Sequence, residues 1–276
     1  MGYGDDIMAT AYARAVVEKN PNSKVFFGDP NNPDYPFWSP VFENNPFILQ
    51  PTKKIQEHFE KICIPDFPGS RRYIDYKNSK WGYPEWAGGR KHITEFCWKF
   101  GFLAPRGDLF FSKDEIRKAK KISKRLPKNF IVIEPNIAPK LWTNNKGWNW
   151  SNWQTLVDRC PDIPFVQFGK DGPWLNGVPT VKNSFREATA LLSRAQGLVT
   201  TEGGLHHAAA ALQKPAIVLW GHFSSPATLG YNGHINLRQA VGQGCGKTEF
   251  CSKCAESLNA ITINSVETAV RKNFGE

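Results

Sequence analysis

Gly197-Leu198-Val199-Thr200-Thr201-Glu202-Gly203-Gly204-Leu205-His206-His207-Ala208-Ala209-Ala210-Ala211-Leu212 passes from one regular element to another within a few residues. Gly197 to Thr200 is expected as a buried strand, and Gly204 to Leu212 as a helix whose alanines let it pack close to a sheet. Two glycines between them free backbone N–H groups at a helix N-terminus, a place that favours anions. The same rhythm extends on both sides. Phe130 to Ile133, Phe165 to Phe168 and Pro215 to Trp220 are expected strands. Ser151 to Arg159, with Ser151 as its N-cap, Phe185 to Arg194 and Ser265 to Asn273 are expected helices. Strands alternating with helices imply an α/β fold with a parallel sheet covered on both faces. In such sheets ligands bind beyond the carboxyl ends of the strands.

The first half is less regular. A Gly-rich turn leads into a helix from about Ile7 to Lys19, and Lys24 to Phe27 is the expected strand. Asp29 to Pro51 and Arg71 to Gly89 are expected as loops, and His92 to Phe100 as a short helix. Lys113 to Leu126 is a lysine-rich helix, and Ser112 with Glu115 forms a capping-box signature at its start. Pro127-Lys128-Asn129 breaks the chain, so two lobes are expected, residues 1–127 and 128–276.

Composition narrows the class. Apolar residues are 41% and charged residues 22% of 276, which excludes a wholly disordered chain. No apolar run approaches the roughly 20 residues of a membrane span. Met1 to Thr10 lacks the pattern of a secretory leader, and six cysteines are too sparse for a disulfide scaffold, so the cytoplasm is the expected compartment. The net charge of +10 is unevenly placed. Residues 1–52 carry a net −3, residues 53–125 a net +9 and residues 126–276 a net +4. A basic stretch of this kind suits an anionic partner (a phosphorylated glycan, a membrane surface or nucleic acid), and equally a solvated face.

Three segments carry candidate chemistry. At Gly4-Asp5-Asp6 a carboxylate stands at a helix N-terminus, where it serves either as a cap or, for Asp5, as a general base. Between Asn136 and Trp153, Lys140 and Lys146 can reach a phosphate, while the tryptophans either stack on a sugar or cover the helix. In the segment quoted first, Glu202 suits ribose hydroxyls and His207 a phosphate. His206 and His207 are a poor metal pair, because adjacent helical positions point about 100° apart. Gly4 and Leu205 mark helix N-terminal amides able to hold an anion.

These residues resemble glycosyltransferase family 9, the heptosyltransferase-like enzymes. Gly4-Asp5-Asp6-Ile7-Met8-Ala9-Thr10 is similar to the family's glycine–aspartate opening. Lys146-Gly147-Trp148-Asn149 is similar to its Lys-x-Trp-Pro loop, and Val199 to Ala210 to its Asp-Thr/Ser-Gly-x-x-His-x-Ala-Ala segment. Lys214 to Gly221 with Ser225-Pro226, and the tail bearing Cys245, Cys251 and Cys254, follow in the family's order. The resemblance implies a GT-B fold, two Rossmann-like lobes with the active site in the cleft between them. It implies inverting transfer from a nucleotide-sugar donor without a catalytic metal or other cofactor. Asp5 matches the base that deprotonates the acceptor. Lys146 matches the diphosphate-binding lysine, and Gly203, Gly204 and His207 the loop at the donor, with Glu202 where the family has Asp. The departures are the three residues before Gly4 where the family has a strand, Glu202-Gly203 for Asp-Thr/Ser, and Asn149 for proline.

The acceptor expected from the resemblance is a lipopolysaccharide-type glycan, with peripheral membrane contact. Arg71, Arg72, Lys77, Lys80, Arg90 and Lys91, interleaved with Tyr73, Tyr76, Trp81, Tyr83 and Trp86, suit DNA as an alternative, with a flipped hydroxylated base as substrate. Arg71, Arg72, Arg90 and Lys91 are the expected acceptor contacts. A GT-B-like binding protein without catalysis is the remaining alternative. The three cysteines, with a fourth ligand such as His234, have an incomplete zinc spacing, so reduced thiols are expected there.

Overall fold

The computed structural model describes residues 2–23, 25–29, 32–50, 76–135 and 145–275. Arg71, Arg72, Tyr73 and Lys140 therefore lie outside the described residues. Helix α1 spans Tyr3–Lys19 and begins four residues before the expected Ile7. Asp5 and Asp6 sit in its first turn, where carboxylates complement the helix dipole, so the Gly-Asp-Asp segment is helix and not a preceding turn. Every residue from Gly4 to Ala11 is buried, which one-sided amphipathicity would not require. The helix is enclosed because it packs against a helix of the second half and is crossed by Gly107. A Cβ at Gly107 would lie 1.8 Å from the Ile7 carbonyl oxygen.

Strand β1 (Phe27–Asp29) pairs antiparallel with β2 (Asn32–Phe37), inside the stretch expected as loop. Strand β3 (Lys77–Gly82) pairs antiparallel with β4 (His92–Trp98), with Lys77 opposite Trp98. The expected helix at His92–Phe100 is thus a strand. Ile93, Thr94, Phe96 and Trp98 have β-branched or aromatic side chains that favour the pleated backbone. Residues on β4 also bond to the Gly246 region, a long-range constraint that local propensity does not contain. Helix α2 (Lys113–Ser123) has the expected capping box, in which Ser112 Oγ accepts from Glu115 N–H and the Glu115 carboxylate accepts from Ser112 N–H.

The second half holds β5 (Ile131–Glu134), α3 (Trp150–Arg159), β6 (Phe165–Gly169), β7 (Thr180–Lys182) and α4 (Phe185–Leu192). Then follow β8 (Gly197–Thr201), α5 (Gly204–Ala211), β9 (Ala216–Trp220), α6 (Pro226–Leu229), β10 (His234–Arg238), α7 (Ser252–Asn259) and α8 (Ile263–Phe274). Six strands form one parallel sheet in the order β10-β9-β8-β5-β6-β7. This is the helix-flanked parallel sheet expected from the sequence. Its strands read as continuous apolar runs because both faces are covered. Ile131 and Ile133 point into a core with Trp153, Leu156, Leu258 and Val270, while Val132 points into the opposite core with Ile7, Met8, Leu191 and Ala208. That second core also takes in Val25, Phe27, Phe42 and Tyr76, so apolar packing continues across residue 127. Among the described residues the first half contributes two antiparallel ribbons, α1, which packs on α5, and α2, which packs on α4.

Candidate active site

The β8 strand ends at Thr201, at the carboxyl edge of the sheet, and the chain turns at Glu202-Gly203 into α5. Helix α1 arrives at the same place with its own N-terminus. The contact leaves no room for side chains on the glycines. A Cβ on Gly4 would lie 2.4 Å from His207 Cδ2, and one on Gly204 would lie 3.0 Å from Phe185 Cε2 and 3.7 Å from Gly4 N. Tyr3 stacks on Phe185, the first residue of α4, at 4.3 Å between ring centres, which ties the start of α1 to that helix. Two helix N-termini, each with unshared N–H groups, therefore converge on one cavity.

That cavity is lined by Gly4, Asp5, Lys146, Glu202, Gly203, Gly204 and His207, all expected from the sequence. It is also lined by Tyr76, Lys77, Phe96, Trp98 and Phe223. Leu205 stands in the first turn of α5 with its side chain off the cavity, so only its backbone belongs to the anion-binding helix end. Arg90 and Lys91 are exposed and do not line the cavity.

Charge in the cavity is paired. Lys146 Nζ lies 2.9 Å from Glu202 Oε1 and 2.7 Å from Oε2, with side-chain exposures of 15% and 8%. Burial works to raise the Glu202 pKa, but the Lys146 ammonium and the hydrogen bonds from Lys146 and Ser224 hold it below the usual carboxylate range. Lys146 also sits 4.6 Å from the centre of the Phe223 ring. On the other wall, Tyr76 Oη donates to Asp5 Oδ1, and Lys77 Nζ donates to Tyr76 Oη at 2.6 Å.

The two histidines have different tasks. His206 Nδ1 accepts from Gly203 N–H at 3.0 Å, so its hydrogen is on Nε2, which donates to the Leu229 carbonyl at 3.1 Å. It plays the part of the N3 acceptor in a capping box. Burial lowers its pKa and keeps it neutral. His207 lines the cavity. Burial above all, with the Lys146 ammonium nearby, pushes its pKa well below the ordinary value. Its Nδ1 lies 2.7 Å from Tyr231 Oη, whose phenol is kept protonated because burial raises its pKa. Tyr231 Oη also donates to the Pro105 carbonyl at 3.4 Å, so the imidazole, the phenol and that carbonyl form one hydrogen-bonded chain behind the cavity.

Neighbouring sites separate from the cavity. Asp6, beside Asp5 in sequence, is buried and accepts from Ser39 Oγ at 2.7 Å. Burial raises its pKa to about 6, partly offset by that hydrogen bond. Cys245, Cys251 and Cys254 have sulfurs within 4.8 Å of one another, packed under Phe96 and Phe223. Cys254 hydrogen-bonds Cys245 at 3.3 Å and lowers the Cys245 pKa to about 6. His234, suggested as a fourth ligand, is not in this group; it packs against His206 and Tyr231. Trp148 and Trp153 cover the core edge-to-face at 5.0 Å, with Trp148 Nε1 bonded to the Ile261 carbonyl, so they pack and do not offer a stacking platform.

Phe96, Trp98 and Phe223 line the cavity without being expected there, and Tyr76 and Lys77, expected on a nucleic-acid face, line it as well. The i, i+2 spacing of Phe96 and Trp98 was the available signal, since it puts both on one side of a strand.

The helix-flanked parallel sheet, with helix ends converging on its carboxyl edge, is a Rossmann-like arrangement. The model of glycosyltransferase family 9 (heptosyltransferase) matches residues 180–257, which span β7 to α7 and include the Glu202–His207 turn. The family 9 glycosyl transferase from Veillonella parvula DSM 2008 superposes with a TM-score of 0.60 at 16% identity, covering 99% of this chain and 95% of that one. The iron-containing dodecameric glycosyltransferase TibC from enterotoxigenic E. coli H10407 gives 0.59 at 15%, covering 99% and 73%. E. coli ADP-heptose lps heptosyltransferase II gives 0.47 at 20%, covering 61% of this chain and 53% of its own length, so the chain spans about half of that enzyme. No curated protein sequence matches the chain.

Proposed function

We propose that the protein is a glycosyltransferase that moves a sugar from a nucleotide-activated donor to an acceptor hydroxyl, with inversion and without a catalytic metal. The carrying observation is the single cavity that sets the Asp5 carboxylate against Lys146, His207 and the N-terminus of α5. Asp5 takes the acceptor proton. The acceptor oxygen forms its bond to the sugar's anomeric carbon as the bond to the diphosphate oxygen breaks, and the diphosphate leaves with the electron pair. Lys146 and the amides of Gly204 and Leu205 meet the charge that develops on it, with the His207 ring beside them. Residues 1–127 serve the acceptor and 128–276 the donor.

A lipopolysaccharide-type glycan is favoured over DNA as the acceptor. Tyr76 and Lys77 face the cavity, and Lys80 pairs with Glu95 across the hairpin at 3.0 Å, which breaks up the basic-aromatic face. No helix among the described residues is long and apolar enough to cross a membrane. A cytoplasmic enzyme reaching its acceptor at the membrane surface fits that. The three cysteines offer three of the four ligands of a closed site and do not line the cavity, so no step runs through them.

The test is a thermal-shift screen of nucleotide sugars, ADP-heptose included, followed by transfer to core glycan in EDTA. At least one donor raises the melting temperature. Asp5→Asn keeps that shift and loses transfer. A panel with no stabilising donor, or Asp5→Asn turning over at the wild-type rate, refutes the reading.

A further inference from the structure

We propose that Tyr76 is the positioning residue of the Asp5 carboxylate, with Lys77 acting on it through the Tyr76 hydroxyl. The inference rests on Asp5 being the base. The direction of the chain of hydrogen bonds is fixed by chemistry. An ammonium has no acceptor and an ionised carboxylate has no donor. Lys77 Nζ therefore gives a hydrogen to Tyr76 Oη, and the phenol hydrogen goes to Asp5 Oδ1. Polarised by a cation behind it, the phenol is a stronger donor than a lone tyrosine.

Both donors are held in place. The Tyr76 ring is 3% exposed, stacked on Trp98 at 6.0 Å and 22° and tilted against Phe102 at 5.4 Å. Trp98 is itself fixed by Nε1 donating to the Phe223 carbonyl at 2.9 Å. Lys77 Nζ lies 4.4 Å from the centre of the Phe96 ring and 4.5 Å from that of Tyr76, within cation–π range. Tyr76 lies just before strand β3, outside its pleat. Two consecutive residues thus reach one cavity, where a regular strand would send them to opposite faces.

The hairpin that carries this pair is anchored to the donor half. Phe96 N–H donates to the Gly246 carbonyl at 2.8 Å, and Thr248 N–H to the Thr94 carbonyl at 3.0 Å. Asp5 itself rides on α1, against α5. The base and its orienting group are therefore both referenced to the second half. A hydrogen bond to the ionised form favours that form and sets the carboxylate plane, the base–orienter relation of activated sites.

Tyr76→Phe removes only the hydroxyl and keeps the stacking. The expected result is a 10- to 100-fold fall in kcat with less than a twofold change in donor KM. The acid limb of kcat/KM should move to higher pH by about one unit. Lys77→Met should move the limb the same way by less, and Lys77→Arg should restore it. Circular dichroism and donor-induced thermal shift check that the variants fold. A Tyr76→Phe profile parallel to wild type, lowered or not, overturns the proposal while Asp5→Asn remains inactive. Asp5→Asn active at the wild-type rate overturns the base assignment and this inference together.

Discussion

The Lys146–Glu202 pair should behave as one buried unit whose halves cannot be removed separately. Its ammonium touches both carboxylate oxygens within 2.9 Å, and neither side chain is more than 15% exposed. Deleting one member of such a pair strands the other charge away from water, at a cost of about 3–5 kcal/mol. Glu202→Gln keeps the shape and one acceptor oxygen, so its loss should fall near 3 kcal/mol. Lys146→Met keeps the apolar stem over Phe223 but leaves the carboxylate alone, and should cost about 4 kcal/mol. Removing both charges together also removes both desolvation penalties, so the double variant should lie within about 1 kcal/mol of wild type. Urea unfolding at pH 7.5, followed by the fluorescence of the ten tryptophans, measures all four corners of the cycle. Single losses below about 1 kcal/mol, or a double variant equal to the sum of the singles, would show the pair to be solvated and refute the reasoning. Donor binding separates the roles further. Lys146→Met should abolish the thermal shift by nucleotide sugar, whereas Glu202→Gln should keep or enlarge it, because the lysine no longer divides its charge between Glu202 and the diphosphate.

Gly4→Ala should destabilise by about 1–3 kcal/mol and reduce transfer, because the added methyl meets the His207 ring at 2.4 Å. Alanine for glycine in a helix ordinarily gains up to about 1 kcal/mol, so a stabilised variant would refute the close contact of α1 and α5. Asp6 has a folded pKa near 6 against 3.8 unfolded, so its contribution is favourable below pH 4 and is lost as pH rises through 6. Asp6→Asn should therefore stabilise by about 1–2 kcal/mol at pH 7.5 and by little at pH 4, read by melts at matched pH. A pH-independent difference would contradict the burial of that carboxyl. Cys245, titrating near 6 because Cys254 donates to it, should be the first thiol alkylated by iodoacetamide at pH 7. Cys254→Ser should slow the labelling. Labelling that appears only after chelator is added would show a metal on the three sulfurs instead.

The second half was legible because its strands are short apolar runs buried on both faces, each closed by a turn or a cap. Glu202 to His207 and Lys146 then followed from the rule that ligands sit at the carboxyl ends of parallel strands, and Asp5 from the glycine–aspartate motif. The β3–β4 hairpin was not legible. Lys77-Asn78-Ser79-Lys80-Trp81-Gly82 is polar and largely open to solvent, so it lacks the alternation that marks a half-buried strand. Its partner His92–Trp98 is part-buried at nearly every position, which blurs the two-residue period in the same way. What holds it as a strand is pairing with β3 and with Gly246 and Thr248, some 150 residues away in the chain. Adjacent acids pose a similar problem. Asp5 and Asp6 are chemically identical neighbours, and only the helix's rotation sends one to the cavity and the other to Ser39.

The charge excess and the cavity are separate matters. Among the described residues the ionised side chains lining the cavity are Asp5, Lys77, Lys146 and Glu202, which sum to zero in a protein of net charge +10. Lys113, Arg117, Lys118, Lys120, Lys121, Lys124 and Arg125, seven of the cations in the basic stretch, are exposed on or just after α2 and do not line the cavity. On the proposed function, preference for an anionic leaving group comes from arrangement. Two helix ends present amides whose direction is fixed, and Lys146 is a single cation shared between Glu202 and a phosphate. Fixed dipoles need no reorganisation as charge develops, and they are screened by salt far less than a surface field. Donor binding should accordingly vary little with ionic strength, while any attraction exerted by α2 on an anionic surface should fade over the same range of salt.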